Sequence, residues 1–246
     1  MKILVTNDDG IFSEGIKTLA ESLSDLGKVW VVAPDRERNA ISHALTLHHP
    51  LRVVSISQQH YAVNGTPADC INIGVNQILR EKPDLIVSGI NKGANLADDI
   101  NYSGTVAAAV EGALMGIPSF AISLAAVEGF KFKPAADFAL RLARSITKNG
   151  LPPRTLLNVN VPDTGGKEIN LYKITIQGRN THCNTIEEKV DPRGVKYYWI
   201  GRKDEGFQED DYSDLKAISQ DFISITPVQV DLTHHASINE MRKWDI

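Results

Sequence analysis

Short apolar runs alternate with helix-period segments through the first two-thirds of this chain, which predicts an α/β fold, Rossmann-like, with a mainly parallel sheet flanked by helices. The apolar runs end in loops rich in oxygen-bearing side chains and glycine, as at Thr6-Asn7-Asp8-Asp9-Gly10 and Ser88-Gly89-Ile90-Asn91. In open α/β sheets ligands bind at such strand ends. The composition agrees: 246 residues with 42% hydrophobic and 23% charged content suit one sizeable core.

The elements can be justified in order. Ile3–Val5 is a short apolar run and reads as the first strand. Gly15–Leu26 carries helical spacing through Ile16, Leu19, Leu23 and Leu26. Val29–Ala33 is β-rich and stops at Pro34-Asp35. Ala68–Leu79 reads as a helix opened by Thr66 as cap, Pro67 at the first helical position and Asp69 in the first turn. Asp84–Ser88 is a further buried strand, Val106–Met115 an Ala-rich helix, Ser119–Leu124 a strand, Ala135–Ile146 a helix and Leu156–Val161 a strand.

The pattern changes after about Pro162, so that a single domain is expected with its core over 1–162 and a hairpin and C-terminal extension over 163–246. Leu171–Ile176, Lys196–Ile200 and Phe222–Val230 read as antiparallel hairpins or an extension, and Lys203–Asp214 as an acidic loop. His234–Trp244 has helical character, and an extension of this kind is expected to serve oligomerisation.

A net charge of −4 without a basic block gives no footprint for gripping duplex nucleic acid. Cys70 and Cys183 form neither a zinc spacing nor a disulfide framework, and the N-terminal apolar run breaks at Asn7, too short for a signal peptide. No apolar stretch is long enough to span a bilayer, so the expected location is cytoplasmic with no membrane partner. The histidines, His43 included, form no helical zinc pair.

Four constellations carry chemistry. Asp8 and Asp9 place two carboxylates at the end of the first strand, and two ionised carboxylates ~4 Å apart repel by roughly 4 kcal/mol near a protein surface. A proton or a cation must relieve that repulsion; a polar turn is the alternative reading of Asn7-Asp8-Asp9-Gly10. Ser88 to Asn95 (Ser-Gly-Ile-Asn-Lys-Gly-Ala-Asn) offers the Asn91 amide oxygen to a hard cation, or is simply a loop needing left-handed residues. Ser103-Gly104-Thr105 opens the Ala-rich helix with hydroxyls and unpaired amides, which serve equally as a cap and as a phosphate cradle. Arg36 and Arg38, in Asp35-Arg36-Glu37-Arg38-Asn39, either bind substrate phosphate or pair with Asp35 and Glu37.

These segments in this order resemble the SurE family of metal-dependent nucleotidases. The resemblance rests on Ile3 to Gly10, Ala33 to Arg36, Gly65 to Cys70, Val87 to Asn95 and Tyr102 to Val106, more weakly on Asp191 to Gly194 and Ile223 to Pro227, and covers essentially the whole chain. It implies one divalent cation per subunit, Mg²⁺ or Mn²⁺, ligated by Asp8, Asp9, Asn91 and the position of Asn39. The family usually carries Ser at that last position, and the Asn39 amide oxygen on a longer arm replaces it. It further implies Asn95, Ser103, Gly104 and Thr105 around the phosphate, Asp8 and Asp9 as the catalytic pair, and nucleoside 5′- and 3′-monophosphates, with short polyphosphate, as substrates. A homodimer or homotetramer is implied as well, with Phe222–Ile246 as the expected contact segment. A non-hydrolysing nucleotide-binding regulator is the competing function, and a glycosyltransferase half is disfavoured because no second Rossmann pattern follows Pro162.

Overall fold

The computed structural model describes residues 1–179, 183–203 and 210–246. In chain order it contains β1 (Lys2–Thr6), α1 (Glu14–Leu23), β2 (Lys28–Pro34), β3 (Val53–Ser57), β4 (His60–Val63), α2 (Pro67–Ile73), β5 (Leu85–Lys92) and α3 (Gly104–Leu114). There follow β6 (Ser119–Ala125), α4 (Lys133–Asn149), β7 (Thr155–Pro162), β8 (Tyr172–Ile174), β9 (Cys183–Val190), β10 (Lys196–Lys203), α5 (Asp214–Ser219), β11 (Ile223–Gln229) and α6 (Ile238–Met241). Nine strands form one sheet in the order β3-β4-β2-β1-β5-β6-β7-β11-β8. The run from β4 to β7 is parallel throughout, so the predicted α/β class and mainly parallel sheet are what the chain adopts.

β1 lies between β2 and β5 and is buried on both faces because its alternate side chains meet different helices. Ile3 and Val5 join Ile16, Leu19 and Leu23 of α1 and Ala135, Ala139 and Ala143 of α4 in one core cluster. Leu4 points the other way, to Cys70 and Ile71 of α2 and Ala108 of α3. A strand clamped in this way has no freedom of register, since a slip of one residue would exchange its two faces. The residues that follow it, Asn7 to Gly10, are therefore held at one fixed point above the sheet.

Beyond Pro162 both expected forms occur, an extension of the main sheet and a separate antiparallel ribbon. β11 pairs antiparallel with β7, and β8 then adds parallel to β11. Both strands extend the main sheet, and Ile223 and Ile225 are buried in the same cluster as Ile3. Pairing partners 51 to 74 residues apart in sequence leave no local turn signal, so the strands are legible in the pattern but their pairing is not. β9 and β10 do form an antiparallel ribbon of their own, with Ile186, Tyr198, Trp199 and Ile200 exposed. Half of the predicted acidic loop lies outside the described residues, and its last residue, Asp214, starts α5. The antiparallel pair β3–β4 was not anticipated; the β3 side chains are all exposed and bury no apolar face.

Candidate active site

The turn after β1 is made by Asn7 and not by the acids that follow it. The Asn7 Nδ2 donates to the Gly10 carbonyl at 3.1 Å and to Ser13 Oγ at 2.7 Å. Asp8 and Asp9 are thereby left for other partners. Asp8 is 4% exposed, and its carboxylate receives the Thr105 backbone amide at 3.1 Å and the Thr105 hydroxyl. Asp9, half-buried, receives the Lys92 amide at 3.2 Å. The ends of β1 and β5 and the start of α3 are tied together through this acidic pair.

Burial raises the Asp8 carboxyl to a pKa of about 6, with the Thr105 hydrogen bond pulling against it and the Asp9 charge adding to the rise. Burial also raises Asp9, opposed by the Lys92 amide and ammonium. A buried carboxylate beside a second one is costly as an isolated anion, and a cation is the partner that would relieve both.

A cleft of about 200 Å³ opens at this point and is lined by Asp8, Asn39, Asn91, Asn95 and Ser103, with Lys92 beside them. Asp9 and Thr105 stand next to this group through the bonds just described, and Gly104 packs against Asp8. A Cβ on Gly104 would stand 3.0 Å from Asp8 Cβ and Oδ2 and 3.2 Å from Ile41 Cγ2. Glycine here lets the start of α3 close onto the carboxylate. Gly89 has a different reason for being glycine: its φ is +143° and a Cβ would meet the Ile122 carbonyl at 2.3 Å.

The amide side chains are turned the same way. Asn91 gives its nitrogen to the Gly93 carbonyl at 3.0 Å, and Asn39 gives its nitrogen to Glu37. In both, the side-chain oxygen remains for a ligand. Asn95 donates to Ser123 Oγ at 2.8 Å, and Asn158 and Asn160 of β7 both donate to its backbone carbonyl, at 2.8 and 2.9 Å. Ser103 caps α3 by accepting the Val106 amide at 3.1 Å, which leaves its hydroxyl hydrogen and the Gly104 amide as donors without a partner among the described residues. The cap therefore leaves donors at this helix start that an anion could use.

The oxygens gathered here suit a hard cation: two carboxylates and two amide carbonyls, with no thiolate or imidazole. Among the described residues no cluster of three or more His, Cys, Asp or Glu side chains forms elsewhere as a rival centre. Arg36 and Arg38 lie 3.9 Å from Asp35 and outside this cleft. Sequence reasoning passed over Lys92, Asn158 and Asn160. The two asparagines were visible as polar residues at alternate positions of an otherwise apolar strand, on one face of β7.

The Survival protein SurE family model matches residues 3–184. The chain belongs to the SurE family. A protein named 5′-nucleotidase SurE from Geotalea daltonii is 52% identical over the full length of both chains. Proteins of the same name from Geobacter sulfurreducens and Myxococcus xanthus are 52% and 51% identical, each covering all of this chain and 94% of their own length. The crystal structure of the SurE protein from Aquifex aeolicus superposes with a TM-score of 0.89 at 40% identity over 98% of each chain. The SurE resemblance read from short segments therefore extends over the whole architecture. No helix among the described residues is long and apolar enough to cross a membrane.

Proposed function

We propose that this SurE-family chain is a metal-dependent phosphomonoesterase that hydrolyses nucleoside 5′- and 3′-monophosphates to nucleoside and inorganic phosphate. The observation that carries this reading is the buried Asp8 carboxylate, fixed by Thr105 and set beside Asp9 at the mouth of an oxygen-lined cleft. The names of its relatives support a nucleotidase. In this reading Asp8, Asp9, Asn91 and Asn39 hold one divalent cation, Mg²⁺ or Mn²⁺, which when bound supplies charge neutralisation to a phosphoryl group.

The remaining steps belong to the chain's own residues. The Ser103 hydroxyl and the Gly104 amide donate to the phosphoryl oxygens, where charge accumulates in the transition state. Lys92 adds a positive charge at the rim. Ser123 can donate as well as accept, so the Asn95 amide is free to turn its N–H toward the same oxygens. Asp9, the less buried acid, takes a proton from the attacking water as the P–O bond to the nucleoside breaks, and solvent protonates the departing nucleoside oxygen. Thr105 keeps Asp8 in one orientation through both steps. The same cradle admits the terminal phosphate of a short polyphosphate. The exposed C-terminal residues Leu232, Met241 and Trp244 are the apolar surface that a homodimer or homotetramer would cover.

The test is phosphate release from a panel of nucleoside 5′- and 3′-monophosphates with Mg²⁺, with Mn²⁺ and with EDTA. Metal-dependent release that EDTA abolishes is the expected result. Nucleotide binding without release under either metal would replace this reading with that of a regulator, in which Asn39 has taken the place of the family's usual Ser at the cost of turnover.

A further inference from the structure

The loop after β2 carries Asn39 and runs through two non-glycine residues in the left-handed region, Ala40 at φ +50° and Ser42 at φ +55°. Such conformations persist only where surrounding contacts over-determine them. The contacts are present and are of two kinds. Ser42 donates its amide to the Tyr102 carbonyl at 3.0 Å and its hydroxyl to the Asn101 carbonyl at 2.5 Å. The next residue, His43, bonds Glu111 through Nε2 at 2.7 Å.

Glu111 lies in the middle of α3, is buried, and takes no part in the chemistry above. Its other oxygen receives Asn72 Nδ2 of α2 at 2.8 Å, so the carboxylate is held from both helices. The His43 hydrogen bond, with the Asn72 bond helping it and burial opposing it, leaves the Glu111 pKa lowered, so it is an anion at neutral pH. Further along the loop, Thr46 is fastened to Asp69 of α2 by its amide at 2.9 Å and its hydroxyl at 2.6 Å. His43 makes the loop's side-chain hydrogen bond to α3 itself, the helix whose first turn carries Ser103, Gly104 and Thr105.

We infer that His43 is a positioning residue for the cation site: clasped to Glu111, it keeps Ala40 and Ser42 in their strained conformations and so holds the Asn39 oxygen over Asp8 and Asp9. The inference rests on the cation-site reading given above. It separates two roles within one loop, since Asn39 touches the ligand and His43 acts only through the backbone between them. Without the clasp Ala40 and Ser42 relax toward ordinary conformations, and Asn39, already exposed, moves away from the cleft.

The experiment is Mn²⁺ binding to the metal-free protein, by calorimetry or by the loss of free-Mn²⁺ signal in electron paramagnetic resonance, for wild type, His43→Ala, His43→Gln, Glu111→Gln and Asp8→Asn. His43→Ala is expected to weaken Mn²⁺ binding roughly tenfold, while kcat at saturating Mn²⁺ changes less than threefold. His43→Gln places an amide N–H near the lost Nε2 and is expected to restore most of the affinity. Glu111→Gln, which keeps the side-chain shape and removes the charge, is expected to weaken binding in the same direction. Unchanged Mn²⁺ affinity in a folded His43→Ala or Glu111→Gln protein overturns the clasp. So does a loss that His43→Gln fails to restore. Asp8→Asn separates the two failures: normal Mn²⁺ binding in that variant would overturn the cation site itself.

Discussion

Thr105 gives both its backbone amide and its hydroxyl to the carboxylate of Asp8, across 97 positions of sequence. The first turn of α3 is thus a fixture of the acidic pair as much as the surface proposed for phosphate. Sequence reasoning had assigned Thr105 to the phosphate directly. In the structure Ser103 and Gly104 keep the unpaired donors, and Thr105 is buried behind Asp8.

Replacing Thr105 with Val removes the hydroxyl bond and keeps the amide bond and the shape. A hydrogen bond to a charged acceptor is worth about 1–3 kcal/mol. The variant is expected to lose that much stability at most and to lose phosphatase activity ten- to a hundredfold, whereas Thr105→Ser retains most of it. Steady-state kinetics beside thermal melting distinguish the pair, and equal activity in both variants would remove Thr105 from any orienting role.

Asp8→Asn should behave in the opposite way on stability. The Asp8 pKa is raised to about 6 by burial, so in the metal-free protein folding disfavours the carboxylate that prevails at neutral pH. Its contribution to stability is full below the ordinary aspartate range and is lost as pH rises through about 6. At neutral pH the amide therefore costs nothing electrostatically, and the metal-free variant is expected to melt no lower than wild type. Phosphatase activity should fall by orders of magnitude. Melting curves with EDTA at pH 5 and pH 8 check the sign: the advantage of Asp8→Asn over wild type should be larger at the higher pH.

Glu111 gives a second pH signature with the reverse sign. Its pKa is lowered, chiefly by His43, so the stability it contributes is present above the ordinary glutamate value and lost as pH falls through its folded value. Wild type should lose stability on acidification below about pH 4.5 more steeply than Glu111→Gln. Urea titrations between pH 3 and pH 6 read the difference directly, and parallel curves would contradict it.

Gly104→Ala tests the close approach of α3 to the acid. With 3.0 Å between the new Cβ and Asp8, the helix start or the carboxylate must shift, and overpacking of this kind costs about 1–3 kcal/mol. Activity is expected to fall at least tenfold with metal affinity reduced in parallel. A crystal structure of the variant with Asp8 undisplaced and full activity would show that the approach is incidental.

Much of this site could be read along the chain. Asp8, Asp9, Asn91, Asn95 and Ser103 each end a strand or start a helix in a recognisable local pattern. What could not be read is which partner each one has. Asn158, Asn160 and Glu111 act on residues about 65 positions away, and no local spacing records a bond of that kind.

The sequence by itself determined the α/β class, the central parallel strands and the acidic turn after β1, because apolar periodicity and capping are properties of neighbouring residues. Tertiary structure alone decided that β11 and β8 extend the sheet, that Thr105 faces Asp8 and that His43 meets Glu111. Those outcomes depend on which buried groups find a partner once the layers close, and a buried carboxylate in a low-dielectric interior takes whichever donors the packed fold brings within hydrogen-bond reach.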